Sequence, residues 1–358
     1  MDAFKTAVRE ATDLAFSECT DITSVDLIIA GVLVKLRCTD TDLASAFSDA
    51  LTHHIAPESL VADWREPAIQ IRIWSAMATG VPRPTMPEEI RQRIVARRAC
   101  LVPDATYQMD FDPTGHILTV MDPSLQTIDV CINNISELPE WERAAPLRSA
   151  LGWSLRRHNR HLVHSAAVAN ERGAALLLGA GGAGKSCASL RCRTEGMGFL
   201  ADDICVIGST SDSSANVYNI YGTAKTLWSD HGVFPELNPY LVTNPAQRSY
   251  KAVYALNKIS NRRIMDSSKL RTLILLDSNH PIGWAERVNP AHVVALVAST
   301  TASFLPGSGR PMLSALSEIA RRLPVIRLSV GENPAQVAEL IGAAIDRSST
   351  NRSDPNAA

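Results

Sequence analysis

The sequence predicts an α/β protein in two parts. A mixed, β-rich N-terminal domain spans 1–135, a helical connector spans 136–160, and a C-terminal domain over 161–345 surrounds a phosphate-binding loop. Three observations predict this. "GAGGAGKS" (179–186) sets G-x-x-x-x-G-K-S between an apolar run and a helix-compatible run. Short runs of alternating apolar and polar residues fill the first third. Beyond residue 160, strand-like and helix-like runs alternate.

The elements follow in order. "LIIAGVLVKLRC" (27–38) alternates around Gly31 and reads as two short strands or one bulged strand. "AIQIRIWSA" (68–76) puts Ile69, Ile71 and Ile73 on one side of a strand. "PEEIRQRIVARRACL" (87–101) opens with proline and acids and ends with arginines, a helical layout. "HILTVMDPSLQTIDVCINN" (116–134) reads as two strands around a proline-containing turn. "SELPEWERAAPLRSALGWSLRRHN" (136–159) is the helical connector. "LVHSAAVAN" (162–170) and "GAALLLGA" (173–180) read as two strands joined by "NERG", and a helix follows through "KSCASLRCRTEG". "GFLADDICVIG" (198–208) reads as one strand with two acids inside it. "LRTLILLDS" (270–278) and "RRLPVIRLSVG" (321–331) are further strands, and "NPAQVAELIGAAID" is a closing helix. "TTASFLPGSGRP" (300–311) reads as a loop, and the polar end, 346–358, as a disordered tail.

Bulk properties exclude several classes. The chain has 358 residues and a formal net charge of -2, so no strong attraction to nucleic acid or to anionic membrane is expected. No run of about 18 apolar residues suggests a spanning helix. Seven cysteines (Cys19, Cys38, Cys100, Cys131, Cys187, Cys192 and Cys205) form no CxxC pair, which fits reduced thiols. The start "MDAFKTAVREATDLAF" lacks a signal-peptide layout, and the expected location is cytoplasmic. Arginine groups at 91–98 and 156–161 read as solvated faces.

The loop residues have physical roles. Gly179, Gly181, Gly182, Ala183 and Gly184 let the backbone curl so that N–H groups, continuing through Lys185, Ser186 and Cys187, face a phosphate chain. Lys185 would reach the β- and γ-phosphates of ATP, and the Ser186 hydroxyl would ligate Mg²⁺. Asp202 and Asp203 follow closely, and buried carboxylates need a partner such as a metal or a hydroxyl. In a strand, one of the two would face the nucleotide and the other would face elsewhere or meet the metal at the strand end. Asp277, ending "TLILLD", competes as a Walker B aspartate and would suit a regulatory NTPase that transfers phosphate only to water.

The segment 162–207, with His164, the loop Gly179 to Ser186, and then Asp202 and Asp203 in order, resembles the HPr kinase/phosphorylase superfamily. The resemblance implies a P-loop, HPr-kinase-like C-terminal domain and an ATP- and Mg²⁺-dependent kinase of peptide or protein serine. It implies Asp202 as general base, Asp203 near the metal, and His164 beside the γ-phosphate and the catalytic carboxylate. The second glycine-rich signature of true HPr kinases, with its arginine, is absent. "IYGTAKTLW" (220–228) stands in that region, with Gly222 and Lys225 as candidate phosphate or substrate contacts. The chain is thus similar to divergent serine kinases, some of which accompany ribosomally made precursor peptides such as lasso peptides. A homo-oligomer is left open by the same resemblance.

Overall fold

The computed structural model of the chain describes residues 2–65, 68–91, 108–112, 114, 116–122, 126–209, 214–243, 251–259, 264–277, 280–304, 309–331 and 333–350. The architecture is mixed α/β, and the chain divides into two compact units, Met1–Ser154 and Leu155–Ala358.

The first unit opens with α1 (Asp2–Ser17), a helix the sequence reading passed over. β1 (Thr23–Ile29) and β2 (Val32–Cys38) form an antiparallel hairpin, so the run around Gly31 is two strands. α2 (Thr41–Ser48) is N-capped by Asp40, whose side chain accepts from the Leu43 N–H at 2.8 Å. Next come α3 (Glu58–Asp63), β3 (Ile69–Ser75), α4 (Ala76–Thr79) and α5 (Glu88–Arg91). The helix expected over 87–101 is seen as α5, and its remainder, including Arg98 and Cys100, lies outside the described residues. β4 (Gln108–Asp112), β5 (Ile117–Asp122) and β6 (Thr127–Ile132) complete a sheet in the order β1-β2-β3-β6-β5-β4. Phe4, Val8 and Ala15 of α1 pack on Trp74, Leu118 and Val120, and the Trp74 indole donates to Thr12 Oγ1 at 3.0 Å. Two short helices follow, α6 (Glu140–Ala144) and α7 (Arg148–Arg156), and the boundary between the units falls inside α7.

The second unit begins with β7 (Arg160–Val163), β8 (Ala166–Asn170) and β9 (Gly173–Leu178), then α8 (Lys185–Thr194). β10 (Gly198–Ala201), β11 (Cys205–Ser209) and β12 (Ala215–Tyr218) come next, then the paired strands β13 (Thr223–Leu227) and β14 (Lys251–Ala255). β15 (Ser267–Asp277), β16 (Ala285–Arg287), α9 (Pro290–Phe304), α10 (Gly309–Arg322), β17 (Val325–Ser329) and α11 (Pro334–Thr350) finish it. The main sheet runs β10-β8-β9-β15-β12-β11-β7, with β17 also on β15 and β16 on β17. β9, β15 and β17 are parallel, so their carboxyl ends lie side by side. Ligands of open α/β sheets sit at such an edge.

β9 is buried on both sides, which explains its unbroken apolar run. Ala174, Leu176 and Leu178 join a core with Val293, Val297 and Leu316 from α9 and α10. Ala175 and Leu177 join a second core with Ala188 of α8 and Val337 and Ile341 of α11.

Four sequence expectations need correction. The stretch 162–170 is two strands, broken at His164 and Ser165. The stretch 198–208 is likewise two strands, and Asp202 and Asp203 lie in the break rather than inside a strand. The expected loop 300–311 is largely helical: α9 runs to Phe304 and α10 starts at Gly309, with 305–308 outside the described residues. The tail expected from 346 is helical to Thr350, because Asp346 accepts from Asn170 Nδ2 at 3.0 Å and lies 3.7 Å from Arg172 Nε. Residues 351–358 lie outside the described residues.

Leu177 is fully buried between α8 and α11. Leu177→Ala should cost about 2–5 kcal/mol in a urea unfolding titration. A loss below about 1 kcal/mol would mean that the helical layer does not close over β9.

Candidate functional site

β9 delivers the chain to Gly179, and the loop 179–184 turns it into α8. Gly182 and Gly184 both sit at φ 82, a left-handed backbone that side chains resist. Gly184 is the N-cap of α8 and supplies no side-chain hydrogen bond, so the first amides of the helix keep their orientation toward an anion. Lys185 is 7% exposed. Its Nζ donates to the carbonyls of Gly179 at 2.8 Å and Ala180 at 3.0 Å, so the ammonium lies across its own loop. Burial lowers its pKa, Asp203 and Asp202 oppose that, and Lys251 adds to it.

The aspartates enter from the broken ribbon. β7 pairs with β11, with Val163 opposite Cys205, and β8 pairs with β10, with Ala167 opposite Ala201. Between these pairs the ribbon opens, leaving His164–Ala166 facing Asp202–Ile204. Ser165 Oγ and Cys205 Sγ close the gap at 3.0 Å. Flat strand geometry would send adjacent aspartates to opposite faces. The bend lets both reach one residue instead, Lys225 of β13. Its backbone N–H donates to Asp202 Oδ2 at 2.6 Å, and its Nζ donates to Asp203 Oδ2 at 2.8 Å.

The two carboxylates differ sharply. Burial, then the neighbouring Asp203 charge, pushes Asp202 up to about 7, against the pull of Lys225 and Lys251. Burial would also raise Asp203, but the Lys225 charge and the His164 hydrogen bond overcome it and hold Asp203 well below the usual range. His164 Nε2 lies 3.3 Å from Asp203 Oδ1, and the His164 amide donates to Thr301 Oγ1 at 3.2 Å. The pair thus holds one negative charge firmly and one proton loosely.

The remaining candidates fall into place around this. Ser186 Oγ donates to the Asp202 carbonyl at 3.5 Å, which sets the hydroxyl between loop and aspartates. The Cys187 thiol turns to Asp230 Oδ2 at 3.6 Å, and burial followed by that carboxylate raises it to about 11. Lys225, the candidate phosphate or substrate contact, is 7% exposed and its ammonium faces Asp203. Asp277 ends β15 beside the loop, but His280 Nδ1 at 3.4 Å and Arg327 Nε at 3.7 Å already face its oxygens. The described cysteines are free thiols.

The site suits a nucleotide with Mg²⁺. Among the described residues no group of three or more His, Cys, Asp or Glu is arranged around a metal. Mg²⁺ needs none, since it takes one or two protein oxygens and completes its shell with phosphate and water. Ser186 and the Asp202–Asp203 pair offer oxygens of that kind next to Lys185. Sequence reasoning missed Lys251, whose charge acts on both Lys185 and Asp202. Its only sequence signal is the "KAVYA" alternation of β14.

Asp202 carries a stability prediction with a definite sign. Its folded pKa is raised from 3.8 to about 7, so its contribution is present at low pH and lost as pH rises between those values. Asp202→Asn keeps an acceptor for the Lys225 amide and removes the titration. Urea unfolding at pH 5 and pH 8 should show wild type losing stability relative to this variant at the higher pH. An unchanged difference would mean that Asp202 titrates alike in both states.

No family model matches the chain, and no curated protein matches it in sequence. The solved structure of the HPr(Ser) kinase/phosphatase from Coxiella burnetii is similar to 54% of this chain and 99% of its own, with 11% identity and a TM-score of 0.31.

Proposed function

We propose that the chain is an ATP-dependent kinase that transfers the γ-phosphoryl group to a serine hydroxyl of a peptide or protein. One observation carries the reading. The glycine loop sets Lys185 and Ser186 at the start of α8, and the Ser186 hydroxyl reaches the backbone of Asp202, whose carboxyl is buried and thereby raised to about 7. A general base works best with a pKa near the working pH. The resemblance of 162–207 to HPr-kinase-like serine kinases points the same way, and a ribosomally made precursor peptide is one acceptor of that class.

The residues divide the work. The amides of 180–186 and Lys185 would hold the β- and γ-phosphates, with the Lys185 ammonium exchanging two carbonyls for phosphate oxygens. Ionised Asp202 would take the serine proton. The serine oxygen then bonds to the γ-phosphorus, the bond to the β–γ bridging oxygen breaks, and its electrons leave with ADP. Ser186 and Asp203 would hold Mg²⁺, which when bound neutralises charge on the β- and γ-phosphates. Asp203 would stay fixed by Lys225 and His164, which keeps its charge beside Asp202 and so keeps the base from becoming too weak. Most of the acceleration would come from positioning and from these fixed charges.

A regulatory NTPase would use Asp277 and water instead, and one assay separates the two. Labelled ATP is incubated with serine peptides, and label is followed in peptide and in free phosphate. Label should appear in peptide, with a rate that rises with pH through about 7 as Asp202 ionises. Asp202→Asn should keep ATP binding and lower transfer by roughly 10²–10⁴. Phosphate release without peptide labelling, or transfer near wild type in Asp202→Asn, would sink the kinase reading.

A further inference from the structure

The β13–β14 hairpin has two unlike faces. Ala224, Ala252 and Tyr254 pack with Leu190, Phe199 and Phe234 in an apolar cluster. Residues directly opposite in an antiparallel pair share a face, and so do alternate residues along each strand. Lys225 lies opposite Val253, and Leu227 lies opposite Lys251, so both lysines project from the face away from that cluster. Lys225 shows where this face looks, since its Nζ reaches Asp203 at 2.8 Å. Lys251 is its diagonal neighbour and is half-buried. The Lys251 charge reaches both Lys185, on the loop, and Asp202, in the broken ribbon.

The site therefore holds three lysines with different commitments. Lys225 neutralises Asp203. Lys185 rests on loop carbonyls and is placed for the phosphate chain. We propose that Lys251 is a further catalytic residue, whose ammonium bonds the oxygens of the transferred phosphoryl group in the transition state. The inference rests on the phosphoryl-transfer reading above. In a loose transition state, charge spreads over the three equatorial oxygens of that group, and a cation reaching them from outside the loop stabilises it selectively. The β13–β14 face that carries Lys225 supplies such a cation.

The test is equilibrium binding of Mg·ADP, with and without aluminium fluoride as a mimic of the transferred phosphoryl group. It uses full-length wild type, Lys251→Met and Lys251→Arg. Wild type should bind Mg·ADP more tightly when aluminium fluoride is present. Lys251→Met should bind Mg·ADP within about twofold of wild type and lose about tenfold or more of the fluoride-dependent gain, as expected for one charge-assisted bond. Lys251→Arg should recover part of it. A Lys251→Met variant that keeps the gain, or that loses Mg·ADP binding to the same extent, overturns the assignment. So does a wild type that binds Mg·ADP but gains nothing from aluminium fluoride. A wild type that binds no Mg·ADP removes the nucleotide reading itself, and the role of Lys251 with it.

Discussion

The site depends on two adjacent carboxylates closing on a single lysine. Burying one carboxylate costs several kcal/mol, and burying two side by side adds their repulsion. Lys225 answers both demands, with its amide on Asp202 and its ammonium on Asp203. The second charge is lightened by protonation, since Asp202 sits near 7. Near neutral pH the pair therefore carries between one and two negative charges, against the ammonium groups of Lys225, Lys185 and Lys251. Despite two buried acids, the cluster stays suited to a polyanion.

That closure forces the strand breaks. Each of β8 and β10 would continue straight into β7 and β11 if the ribbon did not open at His164 and Asp202. Opening it frees three positions on each strand from the regular ladder, and these positions carry His164, Asp202 and Asp203. The long strand β15 spans the opening, pairing with β12 through Ser267–Lys269 and with β9 and β17 further on. The loop and the aspartates are thus held by one sheet, and Asp277 at its end is tied to Arg327 and His280.

The legible features were local ones. G-x-x-x-x-G-K-S lies within eight consecutive residues and specifies its own backbone, and the alternating runs of β1, β2 and β3 announce strands. The breaks were not legible, because "LVHSAAVAN" and "GFLADDICVIG" keep strand composition straight through them. The Gly/Pro content of 300–311 signalled a loop, but 300–304 belong to α9 and 309–311 to α10. α11 outruns its polar composition because Asn170 and Arg172 hold Asp346. Lys225 was legible as a basic residue near the site but not as a counter-ion, since that role depends on where the hairpin places it. Lys251 was not legible as a site residue, because the alternation of "KAVYA" marks a strand but not where its lysine lands, which the pairing of β14 with β13 decides.

The lysines also differ in what a phosphate could take from them. Lys185 is held by two neutral carbonyls, and a phosphate oxygen is a stronger acceptor than either, so exchange is favourable. Lys225 is held by an ionised carboxylate whose pKa lies well below the usual range, and moving it would strand that charge in the interior. A nucleotide would therefore draw Lys185 off its loop and leave Lys225 in place. Asp202 would then keep the Lys225 amide as its neighbour. Two identical residues, adjacent in sequence and both buried, come to differ in protonation because the Lys225 ammonium and His164 sit on Asp203, while Asp202 meets the Lys225 amide and the charge of Asp203.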